Sequence, residues 1–99
     1  MNVVSKPQLR KFWESHPDAE SPLLAWHRTA RKARWQTLAE VKQTYPHADL
    51  VGECTVFNIK GNDYRLVTKI NYRRQAIYIK KVMTHAEYDR RRWKDECKC

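Results

Sequence analysis

The sequence predicts an α+β domain, with helices in its first half, a small antiparallel sheet in its second and a short C-terminal helix. Three observations lead there. Apolar residues recur at helical spacing, between recognisable caps, as far as Tyr45. From Thr55 the chain changes to β-branched and aromatic runs separated by turn residues. A Thr-x-x-Glu capping box, Thr84 to Glu87, then opens a final helix.

Val3-Val4 is a short apolar run that suits either a strand or the lead into a helix. Leu9, Phe12, Trp13 and His16 share one helical face, and His16-Pro17 ends that helix because a residue before proline avoids the helical region. The expected span is 7–15. A second helix starts between Asp18 and Ser21, with Pro22 in its first turn, and runs to about Ala33. Leu23, Trp26, His27 and Ala30 form its inner face, and Arg28, Arg31, Lys32 and Arg34 fall mostly outward. Thr37 and Glu40 fit a capping box for a short third helix that Tyr45-Pro46 ends. Thr55–Ile59 reads as a strand, Gly61-Asn62-Asp63 as a turn and Tyr64–Tyr72 as the next strand. After the turn Arg73-Arg74-Gln75 comes Ala76–Val82, completing a three-stranded meander. The last helix should reach about Trp93, closing a single domain over 1–95 and leaving 96–99 as a polar tail.

At 99 residues there is room for one core only, and 41% hydrophobic residues with four Trp and five Tyr are enough to build it. The net charge of +9 is uneven: residues 60–99 hold twelve basic and five acidic side chains, against eight and six before them. The second half should therefore carry a positive surface, for which nucleic acid is the leading partner. Gly52 and Gly61 are the only glycines, which excludes a glycine-rich phosphate loop. His16, His27 and His47 have no acidic or thiol partner at metal-ligand spacing, and Cys97-Lys98-Cys99 is too tight for an ordinary zinc site. Cys54, Cys97 and Cys99 read as free thiols. No charged-then-apolar leader and no apolar stretch near 18 residues is present, so the cytoplasm is expected and a membrane is not.

Alternation in Tyr64–Tyr72 puts Arg65, Val67, Lys69 and Asn71 on one face, a platform suited to a phosphate backbone. The segment Lys80–Asp89 joins a basic strand end to a capped helix start. His85 falls on the first turn, with Tyr88 three residues on and Asp89 four, so the three can meet. A helix N-terminus attracts phosphate and favours a neutral imidazole that can take a proton. On spacing alone, plainer readings stay open: a solvated strand face, an incidental first-turn histidine, and a Tyr88 that only staples onto Met83.

Val56-Phe57-Asn58, Gly61 to Val67, Ile70-Asn71-Tyr72 and Val82 to Asp89 together resemble the HigB-type toxins of the RelE superfamily, as do His16-Pro17 and the Ala-Trp helix after it. The resemblance implies a RelE-like fold, with the N-terminal helices packed on a small twisted antiparallel sheet. It further implies the toxin of a type II toxin–antitoxin system, a ribosome-dependent endoribonuclease that cuts mRNA in the A site of the 70S ribosome. A HigA-like helix-turn-helix antitoxin would inhibit it. RelE uses a lysine pair on the strand before the turn; the matching stretch here is Val56-Phe57-Asn58, which moves the expected proton transfer to His85. Arg65 matches an arginine that both groups retain after Tyr.

The implied chemistry is attack of a ribose 2′-hydroxyl on the adjacent phosphorus, with neither metal nor other cofactor. His85, Arg65 and Tyr88 are its expected catalytic residues: the proton carrier, the phosphate clamp and the group that orients the nucleotide or shares the proton. Lys69, Lys80, Lys81, Asn58, Asn62 and Asp89 are the expected substrate-binding set. The alternatives are a non-catalytic RNA-binding module, for which the basic face suffices, and a docking protein for an acidic partner.

Overall fold

The computed structural model describes residues 1–90 and 92–98. Strand β1 (Asn2–Val4) is followed by helix α1 (Lys6–Ser15), a 3-10 turn at Pro17–Ala19, helix α2 (Glu20–Lys32) and helix α3 (Leu38–Thr44). Strands β2 (Asp49–Val51), β3 (Cys54–Ile59), β4 (Tyr64–Asn71) and β5 (Ala76–Thr84) then lead into helix α4 (His85–Asp89) and a 3-10 segment, Arg92–Cys97. The α+β reading holds.

Among the described residues the strands form one sheet in the order β1-β5-β4-β3-β2. The meander β3-β4-β5 is antiparallel as expected, and Val3-Val4 resolves as an edge strand running parallel to β5, with Asn2 opposite Ala76 and Val4 opposite Tyr78. The alternation missed β2, a three-residue edge strand on β3 whose Leu50 stays 56% exposed. So short a strand has no buried face to write a pattern.

Two cores lie on opposite faces of the sheet. Leu9 of α1, Leu23, Trp26 and Ala30 of α2 and Val41 of α3 pack on Phe57, Leu66, Ile77 and Ile79. Rings meet edge to face there: Trp26 and Tyr45 both approach Phe57, with centroids 5.3 and 5.4 Å away. On the other face Val56, Val67 and Met83 are covered by Trp93 and Cys97. The expected open platform of Arg65, Val67, Lys69 and Asn71 is thus covered at Arg65 and Val67, where the C-terminal segment folds back to bury Trp93, while Lys69 is half-buried and Asn71 exposed.

That return also shortens the last helix. The Thr84–Glu87 box forms with both reciprocal bonds, but α4 stops at Asp89 instead of reaching Trp93. Trp93 Nε1 donates to the Tyr88 carbonyl at 2.8 Å, and its ring stacks on Tyr88. Cys54 and Cys97, expected as free thiols, are joined by a disulfide. With the two cysteines 43 positions apart, spacing carried no hint of it. Cys99 lies outside the described residues.

The helical half is pinned to the β3–β4 turn by Asp18, which accepts from Lys60 Nζ at 2.6 Å and from the Tyr64 hydroxyl at 2.5 Å. Lys60, then Tyr64, holds the Asp18 carboxyl below its ordinary range. A carboxylate whose pKa falls on folding stabilises the fold above its unfolded value, and that contribution is lost as pH drops through the folded value. Asp18→Asn should therefore unfold at lower urea than the parent at pH 7, the gap closing below about pH 4, near the unfolded carboxylate value. Urea midpoints against pH check this; a gap that persists unchanged into strong acid would mean that the charge is not what holds the junction.

Candidate active site

Antiparallel pairing places Asn58 opposite Arg65, Arg65 opposite Met83 and Tyr64 opposite Thr84. Cross-strand partners share a face, so Asn58, Arg65 and Met83 line up beneath the start of α4. The β3–β4 turn closes over the same end of the sheet, where the His85 backbone N–H donates to the Asp63 carbonyl at 3.0 Å.

His85 is held at both ring nitrogens. Nδ1 lies 3.1 Å from the Asn62 carbonyl oxygen, and Nε2 lies 3.1 Å from Asp89 Oδ2, one turn further along α4. Nδ1 also lies 3.5 Å from Arg65 Nη2. A guanidinium only donates, so this longer contact would compete with donation to Asn62, and the shorter one decides. On this geometry the Nδ1 hydrogen goes to the Asn62 carbonyl, which leaves Nε2 as the ring nitrogen turned to Asp89 and to solvent. Asp89 can hold a hydrogen there. The pair is open to solvent, with side-chain exposures of 46% and 63%, so an incoming group can displace the carboxylate at little cost.

Arg65 is buried, contrary to the expected exposed clamp. Nη1 donates to the carbonyls of Asn62 (3.0 Å) and Tyr64 (3.3 Å), and Nη2 to Asn62 Oδ1 (2.8 Å). Its Cζ sits 5.2 Å from the centre of the Tyr88 ring, which continues the stack onto Trp93. The guanidinium thus fastens the turn that supplies the histidine's anchor. Asn62, expected to bind substrate, spends both its oxygens on that network. Neither the Asn62 carbonyl nor the Trp93 stack was legible beforehand, since one is backbone and the other depends on the chain's return.

The structure brings His85, Arg65, Tyr88, Asn62, Asp89 and Asn58 together. It sets Lys69 apart: four residues along β4, about 13 Å from Arg65, it pairs with Glu53 at 3.4 Å. Lys80 and Lys81 are exposed and open toward α1, on the far side of α4's first turn. The expected anion site at the start of α4 is largely used internally. The amides of Thr84, His85 and Glu87 already donate to Glu87, Asp63 and Thr84. The Thr84 backbone, followed by its hydroxyl, His16 and Arg90, keeps the Glu87 carboxyl below its ordinary range despite some burial.

Residues 19–91 match a family described as HigB_toxin, the RelE-like toxic component of a toxin–antitoxin system. The chain is 30% identical over 92 residues to the mRNA interferase toxin HigB of Escherichia coli strain K12, covering 90% of this chain and 88% of that protein. The same figures hold for the mRNA interferase HigB of Shigella flexneri. A further mRNA interferase HigB, from Escherichia coli O6:H1, is 24% identical over 93 residues, 91% of this chain and 90% of the relative. Among the described residues no helix is long and apolar enough to cross a membrane.

Proposed function

The chain belongs to the HigB toxin family, the RelE-like toxic components of toxin–antitoxin systems, and on that premise we propose that it is an mRNA interferase whose proton-transfer residue is His85. Its relatives' activity supports the reaction class. The observation that carries the residue is the clamped imidazole, with Nδ1 on the Asn62 carbonyl and Nε2 facing solvent beside Asp89.

In this reading a substrate ribose 2′-hydroxyl attacks the adjacent phosphorus, the P–O5′ bond breaks and a 2′,3′-cyclic phosphate forms. His85 Nε2 gives its proton to the leaving 5′ oxygen, Asp89 having kept that proton in place. The 2′-hydroxyl proton passes to water or to a ribosomal group. Arg65 keeps the turn and the imidazole in register and adds positive charge beside the phosphorane, while Tyr88 orients the nucleotide. Asn58, on the same face, and Lys80 and Lys81 contact the RNA. Cutting takes place in the ribosomal A site of the cytoplasm, and a helix-turn-helix antitoxin of the HigA kind restrains it.

Expression without an antitoxin should arrest growth, and programmed ribosomes should yield fragments with 2′,3′-cyclic phosphate ends or the 3′-phosphate from their opening. Fragments with 3′-hydroxyl ends would overturn this route. Binding of RNA with no cutting and no growth arrest would instead leave a non-catalytic RNA-binding module.

A further inference from the structure

The register of β4 on β5 breaks in one place: Val67 pairs with Lys81 and Thr68 with Ile79, which leaves Lys80 as an extra residue. Consecutive strand residues normally point to opposite faces. This bulge instead turns both Lys80 and Lys81 toward one groove, the kind of re-aiming that bulges perform beside functional sites. The groove runs along the part of β5 beyond its pairing with β1, where α1 packs alongside. It measures about 570 Å³, and α1 lines its other wall with Lys11, Phe12 and His16.

Three lysines face this space. Among the described residues none of them has an ion-pair partner, whereas Lys60 is spent on Asp18 and Asp63, and Lys69 and Lys98 on Glu53. The single carboxylate on the groove, Glu87, is engaged by the Thr84 amide. The wall between the lysines is aromatic: Phe12 and His16 stack with centroids 4.3 Å apart and planes 7° from parallel, braced edge-on by Tyr64.

We infer that this groove is a single-stranded RNA subsite, with Lys11, Lys80 and Lys81 holding backbone phosphates and the Phe12–His16 wall offering an aromatic surface to a base. Ammonium groups supply phosphate contacts without sequence preference, and a ring stack accepts any base, so the chemistry fits unpaired RNA. The first turn of α4 separates the groove from the His85–Arg65 side, with Glu87 facing one and His85 the other. A strand crossing that turn would occupy both. The inference rests on the nuclease reading for its ligand class and adds α1 as a substrate-binding element.

The test measures binding of a fluorescent decaribonucleotide of mixed sequence, by anisotropy across a salt series, to the parent, Lys11→Gln, Lys80→Gln and Lys32→Gln. Lys32 on the outer side of α2 removes the same charge away from the groove. Lys11→Gln and Lys80→Gln should each weaken binding about five- to tenfold at low salt and lower the salt slope by about 0.7, the share of one phosphate contact in a single strand. Lys32→Gln should leave both unchanged. Equal losses in all three variants, no loss at Lys11, or no saturable binding by the parent at low salt would each overturn the subsite. Equal affinity for poly-glutamate would reassign the groove to an acidic protein partner. The two readings fail separately: RNA held through Lys11 but never cut removes the nuclease and keeps the groove, while message cut on ribosomes by a parent whose RNA binding does not change in Lys11→Gln removes the groove and keeps the nuclease.

Discussion

His85→Gln is expected to fold and melt like the parent, yet to cut message on programmed ribosomes about 10² to 10⁴ times more slowly, the usual contribution of one general acid–base group. The contacts that build the site survive the change. The His85 backbone N–H still reaches the Asp63 carbonyl, and the Thr84–Glu87 box uses no atom of the imidazole. The side chain is half exposed, so its replacement opens no cavity. Glutamine can still donate to the Asn62 carbonyl, but its amide nitrogen cannot take up and release a proton as an imidazole does. Asp89→Asn should cost less, because it removes the group that retains the proton and leaves the one that transfers it. Single-turnover cutting and circular dichroism decide the matter; a folded His85→Gln protein that cuts at the parental rate would remove His85 from the chemistry.

What could be read from the sequence here follows from how far each interaction reaches along the chain. The Thr84–Glu87 box forms as written because it spans one turn, and so does the Thr37 bond to the Glu40 amide. The inner face of α2 was right because Leu23, Trp26, His27 and Ala30 bury at helical spacing. The neighbourhood of His85, Tyr88 and Asp89 was legible for the same reason. The pairing of Cys54 with Cys97 spans 43 residues and left no local trace. Burial of Arg65 hangs on that return, since Trp93 backs the Tyr88 ring that lies against the guanidinium. The role of α1 needed the β5 bulge, a break in register that alternation alone does not announce.

Arg65→Ala is expected to lose both stability and activity, which reverses what an exposed strand arginine would do. Truncation takes the Arg65 donor from the Tyr64 carbonyl and from Asn62 Oδ1 in a mostly buried setting and leaves the Asn62 carbonyl to His85 alone, at a cost of about 1–3 kcal/mol if one such group stays unsatisfied. Loss of the cation over Tyr88 adds to it. Cutting should fall further than the folded fraction explains, because the same turn carries the carbonyl that sets the His85 ring. Arg65→Lys separates the two effects. An ammonium keeps the charge and can reach one of those oxygens, but it has no planar fork to span the others. It should recover part of the lost stability and little of the rate. The split between kcat and KM then assigns the residue: a fall in kcat at constant KM means that Arg65 acts through the position of His85, and a rise in KM means that it grips phosphate in the ground state. Urea midpoints and cutting kinetics on ribosomes supply both numbers, and an Arg65→Lys protein with parental values for both would exclude the fork from either role.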